Sequence, residues 1–134
     1  MASSSHFGGG TMTLLEYQNL EERGDERLEL IHGHLVREPA PGGVHGVVLL
    51  DLLHALHEHV RTCGLGRVLV ETGVRYPGEP GTVRRPDIAF ITAAHLPPEP
   101  PLSFWEVVPD LVIEIVSPND RWTLVQQKIE ADLE

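Results

Sequence analysis

Apolar residues recur along the chain at two spacings, one helical and one extended. Val48, Leu49, Leu52, Leu53, Leu56 and Val60 fall three or four residues apart. That period places them on one face of a helix running from about Val44 to Arg61. Asp51, His54, His57, Glu58 and Arg61 lie elsewhere on it, and Gly64 suits its C-terminal stop. A shorter helix from Thr13 to about Leu20 opens with Thr13 and, three residues on, Glu16, a capping-box pattern. Gly24 ends that segment. Ser117-Pro118-Asn119-Asp120 opens a last helix, whose stripe is Trp122, Val125, Ile129 and Leu133.

The extended segments lie between these helices. Arg27 to Arg37 reads as a hairpin, with Leu28, Leu30 and Leu35 apolar and His32-Gly33 in the turn. Arg67 to Tyr76 is extended and bends near Gly73, and Pro77 to Gly81 is a turn-rich loop. Asp87 to Thr92 is a short strand, and Leu96 to Pro101 is a proline-rich loop. Leu111 to Val116 is almost entirely β-branched or Leu, as in a central strand covered on both faces. The mixture predicts one α/β domain over residues 11–134, preceded by a flexible Ser- and Gly-rich tail, residues 1–10.

Composition narrows the class. A chain of 134 residues is long enough for one core, and 22% charged with 41% apolar residues is the balance of a soluble globular protein. It has no run of about 18 apolar residues, so no membrane span is expected. The first residues lack the basic start and apolar core of a signal peptide. A lone cysteine, Cys63, excludes an internal disulfide framework and fits a reducing cytoplasm. The net charge of -10 argues against a broad basic surface for DNA. A bound cation can still invert the field locally.

The candidate chemistry centres on Glu114, a lone carboxylate inside PDLVIEIVSP, and on Asp87 in RRPDIAF. An ionised side chain in a buried strand is costly unless it is paired. Two carboxylates at neighbouring strand ends form a natural Mg2+ site of hard oxygen donors, and the carbonyl of Ile115 could add a ligand. The plainer reading has Asp87 capping a turn after Pro86 and Glu114 paired with an arginine. Lys128, at the edge of the last helix's apolar stripe, could stabilise charge in a phosphoryl transition state. A helical lysine is more often a solvated surface group. Simple alternation turns Glu29, between Leu28 and Leu30, toward solvent. His54, His57 and His59 read as a solvated helix face, since no HExxH pattern or further cysteine accompanies them. His45, at the start of the long helix, is better placed to touch a ligand.

ERLELIHGHLV, then HG opening a helix, then RRPDIAFI, then PDLVIEIVSPNDRWTLVQQKIEADL occur in that order. From about Thr11 onward the chain resembles the Uma-two family of restriction-like endonucleases, within the PD-(D/E)xK nuclease superfamily. The resemblance implies a restriction-endonuclease-like core with a central mixed sheet flanked by helices. It implies Mg2+-dependent hydrolysis of DNA phosphodiester bonds, with Mn2+ as a substitute ion. Asp87 matches the aspartate of the PD element, Glu114 the acidic residue of the second element, and Glu29 an early family glutamate. The superfamily lysine would stand two residues after Glu114, where this chain has Val116. Lys128 matches the lysine that this family takes from the following helix. The resemblance also implies strands beyond that helix, so the chain reads as C-terminally truncated. An exposed sheet edge would follow, of the kind that invites a homodimer. The alternative class is an inactive nuclease-like scaffold or binding module.

Overall fold

His32 and Gly33 both adopt positive φ, 49° and 81°, the signature of a type I′ turn whose twist suits a two-residue hairpin. They join β2 (Leu28–Ile31) to β3 (His34–Arg37). The computed structural model describes residues 5–6, 10–22, 28–37, 42–76, 78–116 and 130. Part of the segment expected to be a flexible tail is a strand: β1 (Ser5–His6) pairs with β3 through Ser5↔Arg37 and His6↔Val36. Helix α1 (Leu14–Glu22) begins with the expected capping box. Glu16 N–H donates to Thr13 Oγ1 at 3.1 Å, and Thr13 N–H reaches Glu16 Oε1 at 3.4 Å. Tyr17 of α1 is fully buried beside Leu28, Leu30, Leu35, Val83 and Phe104. Its hydroxyl donates to the Leu28 carbonyl at 2.6 Å, so burial leaves its polar end satisfied.

The segment expected to bend near Gly73 does so. It forms β4 (Gly66–Val70) and β5 (Val74–Arg75), which face β7 (Ile88–Thr92) and β6 (Val83–Arg84) respectively. Both ladders share one antiparallel register, from Gly66↔Thr92 through Val70↔Ile88 and on to Val74↔Arg84. Between them Glu71, at φ 48°, kinks the ribbon and donates its N–H to the Asp87 carbonyl at 3.1 Å. The result is one long bent ribbon whose second arm runs from Val83 to Thr92.

The other edge of that arm changes partner at the bend. Its first half pairs with β2 through Leu30↔Val83, and its second half with β8 (Leu111–Ile113). Pro86, lying between, has no N–H to offer a ladder. The arm therefore passes from a five-stranded sheet, β1-β3-β2-β6-β5, to a three-stranded one, β4-β7-β8. Among the described residues the ladders are antiparallel, and mixed character comes from the parallel bridge Val74↔Trp105. Trp105 N–H donates to Gly73 O at 2.8 Å and Arg75 N–H to Trp105 O at 2.7 Å. A second apolar cluster, Leu69, Val74, Tyr76, Ala89, Ile91 and Trp105, fills the space around this ribbon.

Helix α2 (Gly43–Cys63) is two residues longer at its C-terminal end than its periodicity suggests. It stops at Gly64, in the left-handed region at φ 63°, whose N–H returns to Arg61 O. Its inward line is His45, Leu49, Leu53, Leu56 and Val60, while Val48 and Leu52 stay exposed on its flank. Asp51, His54, His57, Glu58 and Arg61 face solvent as expected.

Strand β8 differs from its prediction. It ends at Ile113 rather than Val116, and Leu111 is exposed rather than covered on both faces. The cause lies in its neighbour, because the arm it pairs with turns away at Arg85–Asp87. A short 3-10 turn, Ala93–His95, precedes the proline-rich loop and carried no periodic signal. The predicted last helix lies outside the described residues, Glu130 apart.

Candidate active site

The β7–β8 ladder ends on the pair Ile88↔Ile113. Carried one residue further, the same register sets Asp87 opposite Glu114, on one face of the sheet. Beyond that point Ile115 comes opposite Pro86, and the bent backbone no longer continues the ladder. Ile115 instead donates its N–H to Asp87 Oδ2 at 2.7 Å. The two acidic blocks of the sequence thus meet at the bend, tied together by a main-chain to side-chain hydrogen bond.

Asp87 is buried, with its side chain 6% exposed. A carboxylate removed from water must be compensated, and here both oxygens are engaged. Oδ2 takes the Ile115 N–H, and Oδ1 lies 3.2 Å from Nε2 of His45 on α2. A carboxylate offers about four lone-pair positions, so each oxygen can accept more than one partner. Glu114, half-buried, stands beside it.

Glu29 reaches the same bend from the other sheet. It is buried, not turned to solvent as alternation predicts, because both faces of β2 are covered. Its Oε2 accepts the Arg85 N–H at 2.6 Å, two residues before Asp87. A short, charge-assisted bond of this kind is stronger than a neutral one. It holds the stretch where β2 and β8 part company.

Glu29, Asp87, Glu114 and the Ile115 backbone are therefore gathered at one bend, while Lys128 lies outside the described residues. His45 is the residue that sequence reasoning noticed without giving it a role. The signal was its spacing: it stands four residues before Leu49, on the line that faces inward. His54, His57 and His59 are exposed, and His54 faces Glu58 at 3.5 Å. Among the described residues no three His, Cys, Asp or Glu side chains gather into a ready metal cluster. The donors at the bend are hard oxygens on two carboxylates and a carbonyl. This set suits Mg2+, which is held by one or two carboxylates and keeps several waters.

A second polar group occupies the far end of the same ladder. Asp110 Oδ2 accepts the Thr92 N–H at 2.7 Å, and Oδ1 lies 2.9 Å from His95 Nδ1. The Thr92 N–H above all, with His95 and the Thr92 hydroxyl, holds the Asp110 carboxyl below the usual aspartate range, against a smaller opposing effect of burial. This group clasps the 3-10 turn to the start of β8.

The bent sheet with helices α1 and α2 has a restriction-endonuclease-like α/β fold. The chain matches the Uma2 family, described as "Putative restriction endonuclease", over residues 14–131, and it belongs to that family. Among solved structures it is similar to a protein from Anabaena variabilis described as a "putative nuclease belonging to DUF820". That similarity has a TM-score of 0.73 at 24% identity and covers 91% of this chain and 68% of the other. None of the curated proteins matches it. Among the described residues no helix is long and apolar enough to cross a membrane.

Proposed function

We propose that the chain is a Mg2+-dependent endonuclease that hydrolyses DNA phosphodiester bonds, with Mn2+ able to replace Mg2+. The observation that carries this reading is the hydrogen bond from Ile115 to Asp87, which fixes the Asp87 and Glu114 blocks side by side. Asp87 and Glu114 would hold the ion, with the Ile115 carbonyl as a further oxygen donor. When bound, the ion activates a water and offsets charge on the scissile phosphate. Glu29 keeps the bend in shape through Arg85 and so positions the ion or its water. Lys128, the residue that matches the family's lysine, would supply positive charge to the transition state. With a net charge of -10, the local cation is what draws a phosphate to this acidic surface.

Two further parts of the proposal rest on single features. β8 is an edge strand among the described residues, and such edges pair with other chains. This supports a homodimer, which sedimentation over a range of concentrations tests. Cys63, the one cysteine of the sequence, is exposed, which fits a cytoplasmic location where thiols stay reduced.

The acidic net charge favours one rival, a nuclease-like scaffold that binds without cutting. Incubating purified protein with supercoiled plasmid separates the two. The endonuclease reading expects nicked or linear product with Mg2+ or Mn2+, none with a chelator, and little with Lys128→Ala. Intact plasmid under all conditions supports the scaffold.

A further inference from the structure

We infer that His45 is a positioning residue of this site: it donates Nε2–H to Oδ1 of Asp87 and holds that carboxylate in its metal-binding orientation. The inference rests on the reading above, in which Asp87 holds a divalent ion.

His45 lies in the first turn of α2, four residues before Leu49, so the line that seats the helix also turns the imidazole inward. Its side chain is 9% exposed and that of Asp87 6%, and their closest atoms are 3.2 Å apart. A carboxylate oxygen only accepts, so the imidazole proton belongs on Nε2. Nδ1 is buried and makes no hydrogen bond among the described residues. The other residues on this line are Leu49, Leu53, Leu56 and Val60, and an apolar side chain at position 45 would bury no such polar atom. What the imidazole adds to this apolar line is a donor to Oδ1.

That donor completes a two-sided grip. Ile115 N–H holds Oδ2 from β8, and His45 holds Oδ1 from α2. With both oxygens held, the carboxylate plane is kept from swinging. Groups that hold a metal-ligating side chain in this way govern affinity without touching the ion, and their loss typically weakens metal binding or activity by about 10–100-fold. The contact also links the site to the long helix, because a shift of α2 along its axis would move the donor.

The test is calorimetric titration with Mg2+, and separately Mn2+, of the full chain and of four variants: Asp87→Asn, His45→Leu, His45→Ala and His45→Gln. Leucine matches the rest of the helix line and keeps the packing, while glutamine carries an N–H close to the place of Nε2. Metal-free thermal melting establishes that each variant is folded. The wild type is expected to bind, and Asp87→Asn to lose binding. His45→Leu and His45→Ala should bind about 10–100-fold more weakly, and His45→Gln should regain most of the difference. A purely structural histidine would change melting temperature but leave affinity alone. Wild-type affinity in His45→Leu, or no recovery in a folded His45→Gln, overturns the inference while the metal site itself stands. Absence of binding by the wild type overturns both, and the two failures are thereby told apart.

Discussion

Ile115 gives its main-chain N–H to Oδ2 of Asp87 at 2.7 Å, and this bond joins the end of β8 to the bend in the long ribbon. It forms where the arm bends away past Asp87 and the main-chain ladder is no longer continued. The same geometry brings Glu114 alongside Asp87. Three structural facts meet here: a proline in the arm, a partner strand that ends early, and a buried aspartate that accepts what the backbone no longer can.

Glu29 should matter to stability as well as to the site. Its carboxylate accepts the Arg85 N–H at 2.6 Å in a buried setting. Glu29→Ala would leave that donor unmatched, at a cost of about 1–3 kcal/mol. Glu29→Gln keeps an acceptor and should lose less. Urea denaturation of the three proteins checks the order, and equal midpoints for Ala and wild type would show that the bond contributes nothing.

Gly66 and Gly46 should respond to alanine in opposite directions. Gly66 has φ 149°, and an added Cβ would lie 2.0 Å from the Ile91 carbonyl oxygen. The strained backbone alone costs on the order of 1–3 kcal/mol, and the clash adds to it, so Gly66→Ala should melt well below wild type. Gly46 lies within α2 with nothing near its Cβ position. There alanine should stabilise by about 0.5–1 kcal/mol. Thermal melts of the two variants test the pair.

The Asp110 clasp predicts a pH dependence. Its carboxyl is held below the usual aspartate range, mainly by the Thr92 N–H. The folded state therefore favours the charged form. Its contribution is fully present above the ordinary aspartate pKa and is lost as pH falls through the lower folded value. Stability curves of wild type and Asp110→Asn should converge as pH drops from about 6 to about 2. The effect is small, because the group is close to solvent and screened. A gap that widens on acidification would contradict the assignment.

Much of this architecture was legible in the sequence because local chemistry decides it. Thr13 and Glu16 announce the capping box, His32-Gly33 the hairpin turn, and Gly64 the end of α2. Asp87 and Glu114 could be paired as candidates because carboxylates stand out in apolar strands. Long-range contacts were harder to read. Glu29 follows the alternation of an exposed residue, and only the packing of both faces of β2 buries it. β8 looks like a central strand by composition, yet its length is set by the bend in its neighbour. The role of His45 depends on which flank of an apolar helix faces the sheet, and the helix carries apolar residues on more than one flank. Ser5 and His6 pair with β3 in a two-residue ladder, too short for a side-chain pattern to record.

The most direct test of the central claim compares the rate of Mg2+-dependent plasmid cleavage by wild type and by Glu114→Ala. The ion is asked to offset several kcal/mol of transition-state charge, and each 1.36 kcal/mol is a factor of ten in rate. Losing half of the acidic pair should therefore slow cleavage by about 100-fold or more. Equal rates for the two folded proteins would contradict the account, since the residue opposite Asp87 would then have no part in the chemistry.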